Sequence, residues 1–283
     1  MFKVNSALFC FVLLLFLSGG DAAFAQATQP APAPTPADLR GKVSETLVDS
    51  SIANDPAVDK MLEAYDPKVR ALDEVVGKLK GDLRKGGVGA GSLGDFVTNA
   101  MRASASHKLG KPVAVAFTNA GGLRKSTIGE GNLRLRDIFE LLPFDNSLVA
   151  FDLTGKQLRE VLEVVIEERD AQSGARIKYK FDRDKRPEFE TAHLLINGAT
   201  KEIDPDAVYT VISSDYLMNV SGGDYSDVLK AARSIKPLNL TLRDAVARFV
   251  RAETAAGREI RVTFDGRYYF DKTEANTGGN SPR

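Results

Sequence analysis

Cysteine is almost missing from the 283-residue chain: Cys10 is the only one. It falls inside an N-terminal apolar run, so a chain that has lost this run can form no disulfide, thiolate metal site or cysteine nucleophile. Tryptophan is absent, and histidine occurs only at His107 and His193. The two histidines are far from ligand spacing, which argues against a zinc or two-metal centre built by this chain. Charge of one sign is also lacking, since 38 basic and 38 acidic residues cancel and are mixed along the sequence. Without a one-sided basic field, polymeric DNA or RNA is not an expected partner. Beyond the N-terminus no segment offers the ~20 unbroken apolar residues of a membrane span.

What is present begins with Met1 to Ala25, where Lys3 precedes the apolar run Ala7 to Leu17 and Ala23-Phe24-Ala25 has the small-x-small form of a signal-peptidase site. Residues 1–25 are therefore read as a cleaved secretory signal, placing the protein in the periplasm or outside the cell. Residues 26–38 follow as a Pro/Ala-rich linker, with Pro30, Pro32, Pro34 and Pro36 on alternate positions, a pattern that favours an extended tether. A leading segment with a linker-type helix is expected over 39–74, the main domain over 75–270 and a polar, Gly-rich frayed tail over 271–283. The 43% hydrophobic content supports one folded domain of roughly 220 residues.

Helical and extended patterns alternate in the folded part. Asp55-Pro56 can start a helix, with Val58, Met61, Leu62 and Tyr65 at helical spacing, and Pro67 should kink it or split off a second segment carrying Val69 and Leu72. Thr154-Gly155-Lys156-Gln157 has the form of a capping box ahead of Leu158, Val161, Leu162 and Val165. Another helix runs from Thr241 through Val246, Phe249 and Val250 to Gly257, a typical C-terminal cap. Pro112 to Phe117, Ser147 to Leu153, His193 to Ile196 and Ala207 to Ser213 read as strands. The order predicts an α/β (α+β layered) domain with a mixed sheet packed against helices.

Three loops carry chemistry. In Asn119-Ala120-Gly121-Gly122-Leu123-Arg124, two glycines let the backbone approach a ligand while Asn119 and Arg124 supply an amide and a cationic fork suited to phosphate or a ribose edge. The alternative is a glycine turn with solvated ends. In Pro143-Phe144-Asp145-Asn146, an aromatic face in a turn suits base stacking, unless Phe144 belongs to the core. Gly222-Gly223-Asp224 ends in a carboxylate able to accept from vicinal hydroxyls, or to cap a helix running from Tyr225 to Ala232.

Taken in order, Asn119 to Arg124, Leu142 to Val149, Leu153 to Leu158 and Ser214 to Asp224 resemble the C-terminal domain of the periplasmic and cell-surface 5′-nucleotidases, over a span from about Asp55 to Arg267. That family joins a dimetal phosphoesterase domain to a C-terminal domain that holds base and ribose. The resemblance implies that Asn119 and Arg124 contact ribose or phosphate and that Phe144 and Tyr216 clamp the base. It further implies that Asn146 reads the base edge and that Asp224, on the Gly222-Gly223 turn, holds the ribose hydroxyls. No catalytic residue and no metal or other cofactor is expected in this chain. Divalent metals are expected only in a partner phosphoesterase.

The sequence departs from the family pattern in four places. Small residues Val88, Gly89 and Ala90 stand ahead of Leu93-Gly94-Asp95, removing one expected phosphate contact. Tyr216 and Gly222 are about two residues further apart than usual. Asp145 replaces a common glycine, adding a carboxylate that would repel a phosphate, and Tyr225 also stands where the family has glycine. The expectation is a free-standing, secreted domain that recognises a nucleoside or nucleotide for a separately encoded metallophosphoesterase in nucleotide breakdown. A non-catalytic nucleoside- or small-molecule-binding module and a degenerate scaffold are the alternatives.

Overall fold

The computed structural model describes residues 44–219, 223–262 and 264–270. The segments read as a signal, a Pro/Ala-rich linker and a polar tail lie outside the described residues. The chain divides into two units, Met1–Ala53 and Asn54–Arg283. Of the first, residues 44–53 are described, and they carry a turn but no helix or strand. Among the described residues, the helices and strands all belong to the second unit.

Its central layer is a five-stranded sheet in the order Arg233–Thr241, Ser147–Thr154, Val208–Ser214, Val115–Thr118, Ala171–Ser173. Val208–Ser214 and Val115–Thr118 run parallel, and the other neighbours are antiparallel, so the sheet is mixed. The period-2 alternation of a strand sends successive side chains to opposite faces. Ala116, Leu148, Ala150 and Ile212 accordingly enter one core, and Val115, Phe117, Val149, Phe151, Leu153 and Val211 the other.

The first core is closed by the helices Gly91–Leu109 and Leu242–Ala255. The second is closed by the helix Gly155–Glu167 and by a four-stranded sheet ordered Ala199–Glu202, Pro187–Ile196, Ala175–Phe181, Tyr268–Tyr269. Gly155–Glu167 starts where its capping box requires: Thr154 Oγ1 accepts from Gln157 N–H at 3.3 Å, and Gln157 Oε1 accepts from Thr154 N–H at 2.9 Å. Glycine follows the cap because a Cβ at position 155 would lie 1.9 Å from the Asp204 carbonyl. Leu158, Val161, Leu162 and Val165 are fully buried along one stripe, each contributing about 1.5–3 kcal/mol of transfer free energy.

Several expectations need correction. Pro67 does split the leading segment, into Pro56–Glu63 and Asp66–Ala71. On these two pieces Val58, Met61, Leu62, Tyr65 and Val69 are all exposed. The strand expected from Pro112 begins at Val115, and the one expected from His193 begins six residues earlier, at Pro187. The latter was hidden because its exposed face is charged, with Lys178–Glu190 at 3.0 Å and Lys180–Glu188 at 3.5 Å bridging it to its neighbour. Among the described residues no helix is long and apolar enough to cross a membrane.

Candidate functional site

The central sheet brings the loops together by direction alone. Val115–Thr118 and Val208–Ser214 are parallel and end on the same side, at Asn119 and Asp215. Their antiparallel neighbours begin on that side: Leu148 is paired with Ser214, and Ala171 with Thr118. The Pro143–Asn146 loop and Asp170 therefore lie at the end of the sheet that also carries the Asn119–Gly122 turn and Tyr216. In α/β sheets, the carboxyl ends of parallel strands are where ligand crevices form.

Two hollows open there, sharing Asn119. The larger, about 300 Å³, is lined by Asn119, Gly121, Asp170, Tyr216, Gly223 and Asp224 together with Glu168 and Tyr225. Its size is at the lower end of small-molecule sites. The smaller, about 10 Å³, lies between Asn119, Gly122, Phe144 and Asn146 and is closed by Leu142 and Leu242. That volume admits little more than one water-sized group. A wider cleft of about 660 Å³ lies between Asp95, Asn99, Phe249 and Arg258. None of the residues read as a ligand site lines it, so it is not the candidate site.

Most of the residues named from the sequence thus fall around two adjoining hollows, with exceptions. Phe144 and Tyr216 are about half exposed, at 47% and 50%, so neither ring belongs to the core. They line different hollows rather than facing each other across one. Arg124 is exposed and lines neither; its guanidinium turns back on the Gly121 carbonyl at 3.4 Å. Gly222 lies outside the described residues.

Neither Gly121 nor Gly122 adopts a positive φ. Gly122 instead makes room for Asn119, whose Oδ1 would lie 3.1 Å from a Cβ at that position. Asp224 does not cap the following helix, which is Ser226–Lys230 and has Tyr225 at its cap with no side-chain bond. Its carboxylate is exposed, and among the described residues nothing donates to it. Asp145 is not a free charge either, because it pairs with Arg243, whose guanidinium also sits 4.2 Å from the Phe139 ring centroid.

The links between loops were not legible in advance. Asp215 Oδ1 accepts from Ser147 N–H at 3.0 Å, tying the Phe144 loop to the Tyr216 segment. Asp170 accepts from Ala120 N–H at 2.7 Å through Oδ1 and from the Tyr225 hydroxyl at 2.9 Å through Oδ2. Tyr225 is buried with its ring 5.1 Å from that of Phe117. Burial pushes the Asp170 carboxyl up to about 6, with its two hydrogen bonds opposing and Glu168 and Asp224 adding to the rise. Burial likewise pushes the Tyr225 phenol well above its ordinary value, reinforced by Asp170.

The larger hollow is lined by three carboxylates, Glu168, Asp170 and Asp224, and by no lysine or arginine among the described residues. Such a lining offers acceptors to hydroxyl and amino groups and disfavours a phosphate within it.

His107 is exposed in the last turn of Gly91–Leu109, and His193 lies within Pro187–Ile196 rather than at its start. Among the described residues no three His, Cys, Asp or Glu side chains group as ligands.

Layered α/β architecture with loops converging at one sheet end is a frame in which small-molecule crevices commonly form. The chain belongs to the 5′-nucleotidase C-terminal domain family, whose model matches residues 74–231. This span is shorter than the one expected, from about Asp55 to Arg267. Similar proteins include the trifunctional nucleotide phosphoesterase protein YfkN of Bacillus subtilis, 32% identical over 149 residues, covering 50% of this chain and 10% of that protein. The 5′-nucleotidase of Vibrio vulnificus is 27% identical over 192 residues, covering 66% of this chain and 32% of the enzyme. Among solved structures, the 5′-nucleotidase precursor of Thermus thermophilus shares the fold, with a TM-score of 0.62 at 22% identity over 76% of this chain and 43% of that one. The chain thus spans a tenth to less than half the length of these relatives.

Proposed function

We propose that this protein is a secreted or periplasmic domain that recognises a nucleoside or nucleotide and presents it to a separate metallophosphoesterase. The observation carrying this reading is the convergence of Asn119, Phe144, Asn146, Tyr216 and Asp224 around two adjoining hollows at one sheet end. In it the base stacks on the exposed part of Phe144, over the smaller hollow rather than inside it, with Asn146 at its edge, while Asp224 and Asn119 take the ribose hydroxyls and Arg124 meets a phosphate. The N-terminal signal-like sequence supports export.

Calorimetric titration with adenosine and with AMP tests the recognition. Saturable binding is expected, and Phe144→Ala should weaken it by about 1–3 kcal/mol, the range for removing an aromatic stacking partner. Because Phe144 is half exposed, the fold should be unaffected. A wild type that binds neither compound at millimolar concentration removes the reading.

The partner is supported by the exposed apolar positions of Pro56–Glu63 and Asp66–Ala71, just ahead of the family match. Contiguous exposed apolar surface is uncommon where nothing covers it, and a phosphoesterase domain is the occupant that the longer relatives suggest. Co-expression with a metallophosphoesterase encoded beside this gene should give a complex that hydrolyses AMP. Replacing Met61 and Tyr65 by serine should disperse it, whereas a complex indifferent to these changes sinks the docking assignment.

A further inference from the structure

Asp170 belongs to none of the motifs that mark the site, yet among the described residues it is a buried side chain that bonds two of its loops. Its carboxylate is 5% exposed and sits at the entry to the strand Ala171–Ser173, with one oxygen on the Ala120 N–H and the other on the Tyr225 hydroxyl. Ala120 follows Asn119 directly, and Tyr225 follows Asp224 directly. The two donors are therefore each one residue from a side chain assigned to the ribose.

Tyr225 reaches this position because its ring is held on Phe117, and Tyr268 closes the lower side, its hydroxyl 3.2 Å from the Asp170 carbonyl. Within the Gly223–Tyr225 turn, Ser226 N–H bonds the Gly223 carbonyl at 2.8 Å, so displacing Tyr225 displaces Asp224 with it.

We infer that Asp170 and Tyr225 form a latch that sets the spacing between the Asn119 and Asp224 loops, making Asp170 the positioning residue for a nucleoside's ribose. The inference rests on the nucleoside reading of the site. Two hydrogen bonds to an ionised carboxylate are charge-assisted and stronger than neutral ones, so the latch is tightest when Asp170 is ionised. The charged or titratable groups facing it are Glu168, Asp224, Tyr225 and Tyr268, and among these only the carboxylates oppose its ionisation. Since its carboxyl is raised to about 6, acidification through that range replaces the ionic acceptor by a neutral acid. Affinity for adenosine, which has no group titrating between about pH 5 and 8, should then fall.

The experiment compares wild type, Tyr225→Phe, Asp170→Asn and Asp170→Ala by hydrogen exchange over 119–124 and by adenosine titration at pH 7.5 and pH 5. In Tyr225→Phe, exchange at Ala120 should accelerate and adenosine should bind about tenfold more weakly at the higher pH, as expected for loss of one bond to a charged acceptor. The wild type should lose affinity on acidification. Asp170→Asn should show the same affinity at both pH values, because its amide does not titrate. It should also retain the Ala120 protection that Asp170→Ala loses, since its Oδ1 still accepts from that N–H. Adenosine affinity unchanged in Tyr225→Phe, or Asp170→Asn retaining the wild-type pH dependence, overturns the latch. If the wild type binds no adenosine, the nucleoside reading falls. Unchanged exchange at Ala120 in Tyr225→Phe overturns the latch by itself, with or without a ligand.

Discussion

Replacing Phe117 by alanine is expected to lower the unfolding free energy by about 3–5 kcal/mol, the range for emptying a large aromatic site in a core. Phe117 is fully buried in the middle of the central sheet, with its ring 6.4 Å from that of Phe151 and 5.1 Å from that of Tyr225. Truncation loses the transfer free energy of the ring and leaves a cavity beneath the ligand loops. The strands on either side, Val208–Ser214 and Ala171–Ser173, are held by backbone pairing and cannot collapse into it. Tyr225 loses its supporting face at the same time, so ligand affinity should fall along with stability. Urea denaturation gives the first quantity and calorimetry the second. A loss below about 1 kcal/mol would show that the cavity closes and that Phe117 does not support the site.

The parts of this fold that were legible are those whose cause is local. Thr154 with Gln157, and Thr241 ahead of Asp244, mark helix starts because each side chain satisfies a backbone N–H within three residues. Val, Ile and Leu runs mark the three inner strands, Ser147–Thr154, Val208–Ser214 and Val115–Thr118, because they supply side chains to the cores on both faces of the sheet. The helix Gly91–Leu109 had no such signature. It is rich in Gly, Ala and Ser and buries residues around much of its circumference, so no polar stripe sets off an apolar one.

The candidate site divides the same way. Asn119, Phe144, Asn146 and Asp224 stand in short motifs that can be read from neighbouring residues. Asp170 was missed because its meaning lies in Ala120 and Tyr225, 50 and 55 positions away. Tyr225 looked like a mere departure from a glycine position because its partner was unknown. Asp145 looked like a charge aimed at the ligand because Arg243, 98 positions away, was not yet beside it.

The largest pH-dependent effect is expected at Arg267, which lies beyond the family match yet anchors the site from beneath. Its guanidinium is 4% exposed, bonds Asp265 through Nη2 at 2.6 Å, donates to the Gln172 carbonyl and Asn99 Oδ1 at 2.9 Å, and stands 3.4 Å from Asp95. The next residue, Tyr268, accepts from Gln172 N–H at 2.7 Å, so this segment braces the strand that Asp170 enters. Arg267→Met preserves much of the apolar volume and removes the charge, leaving Asp95 and Asp265 without their cation. Breaking a buried ion pair in this way costs about 3–5 kcal/mol.

The pH sign follows from the two carboxyls. Burial raises Asp95 to about 6 despite the pull of Arg267, so the folded state holds its proton through a range where the unfolded chain has lost it, and stability falls as pH rises through that range. Burial also acts upward on Asp265, but Arg267 outweighs it and holds that carboxyl below its ordinary value, a contribution present near neutrality and lost in acid. Without the guanidinium both carboxyls shift upward, so the variant's deficit should be greatest near pH 8 and narrow towards pH 5. Adding Asp95→Asn should recover part of it at pH 8 and little at pH 5. Urea denaturation at the two pH values decides, and an equal deficit at both would mean that Arg267 acts through packing rather than through its charge.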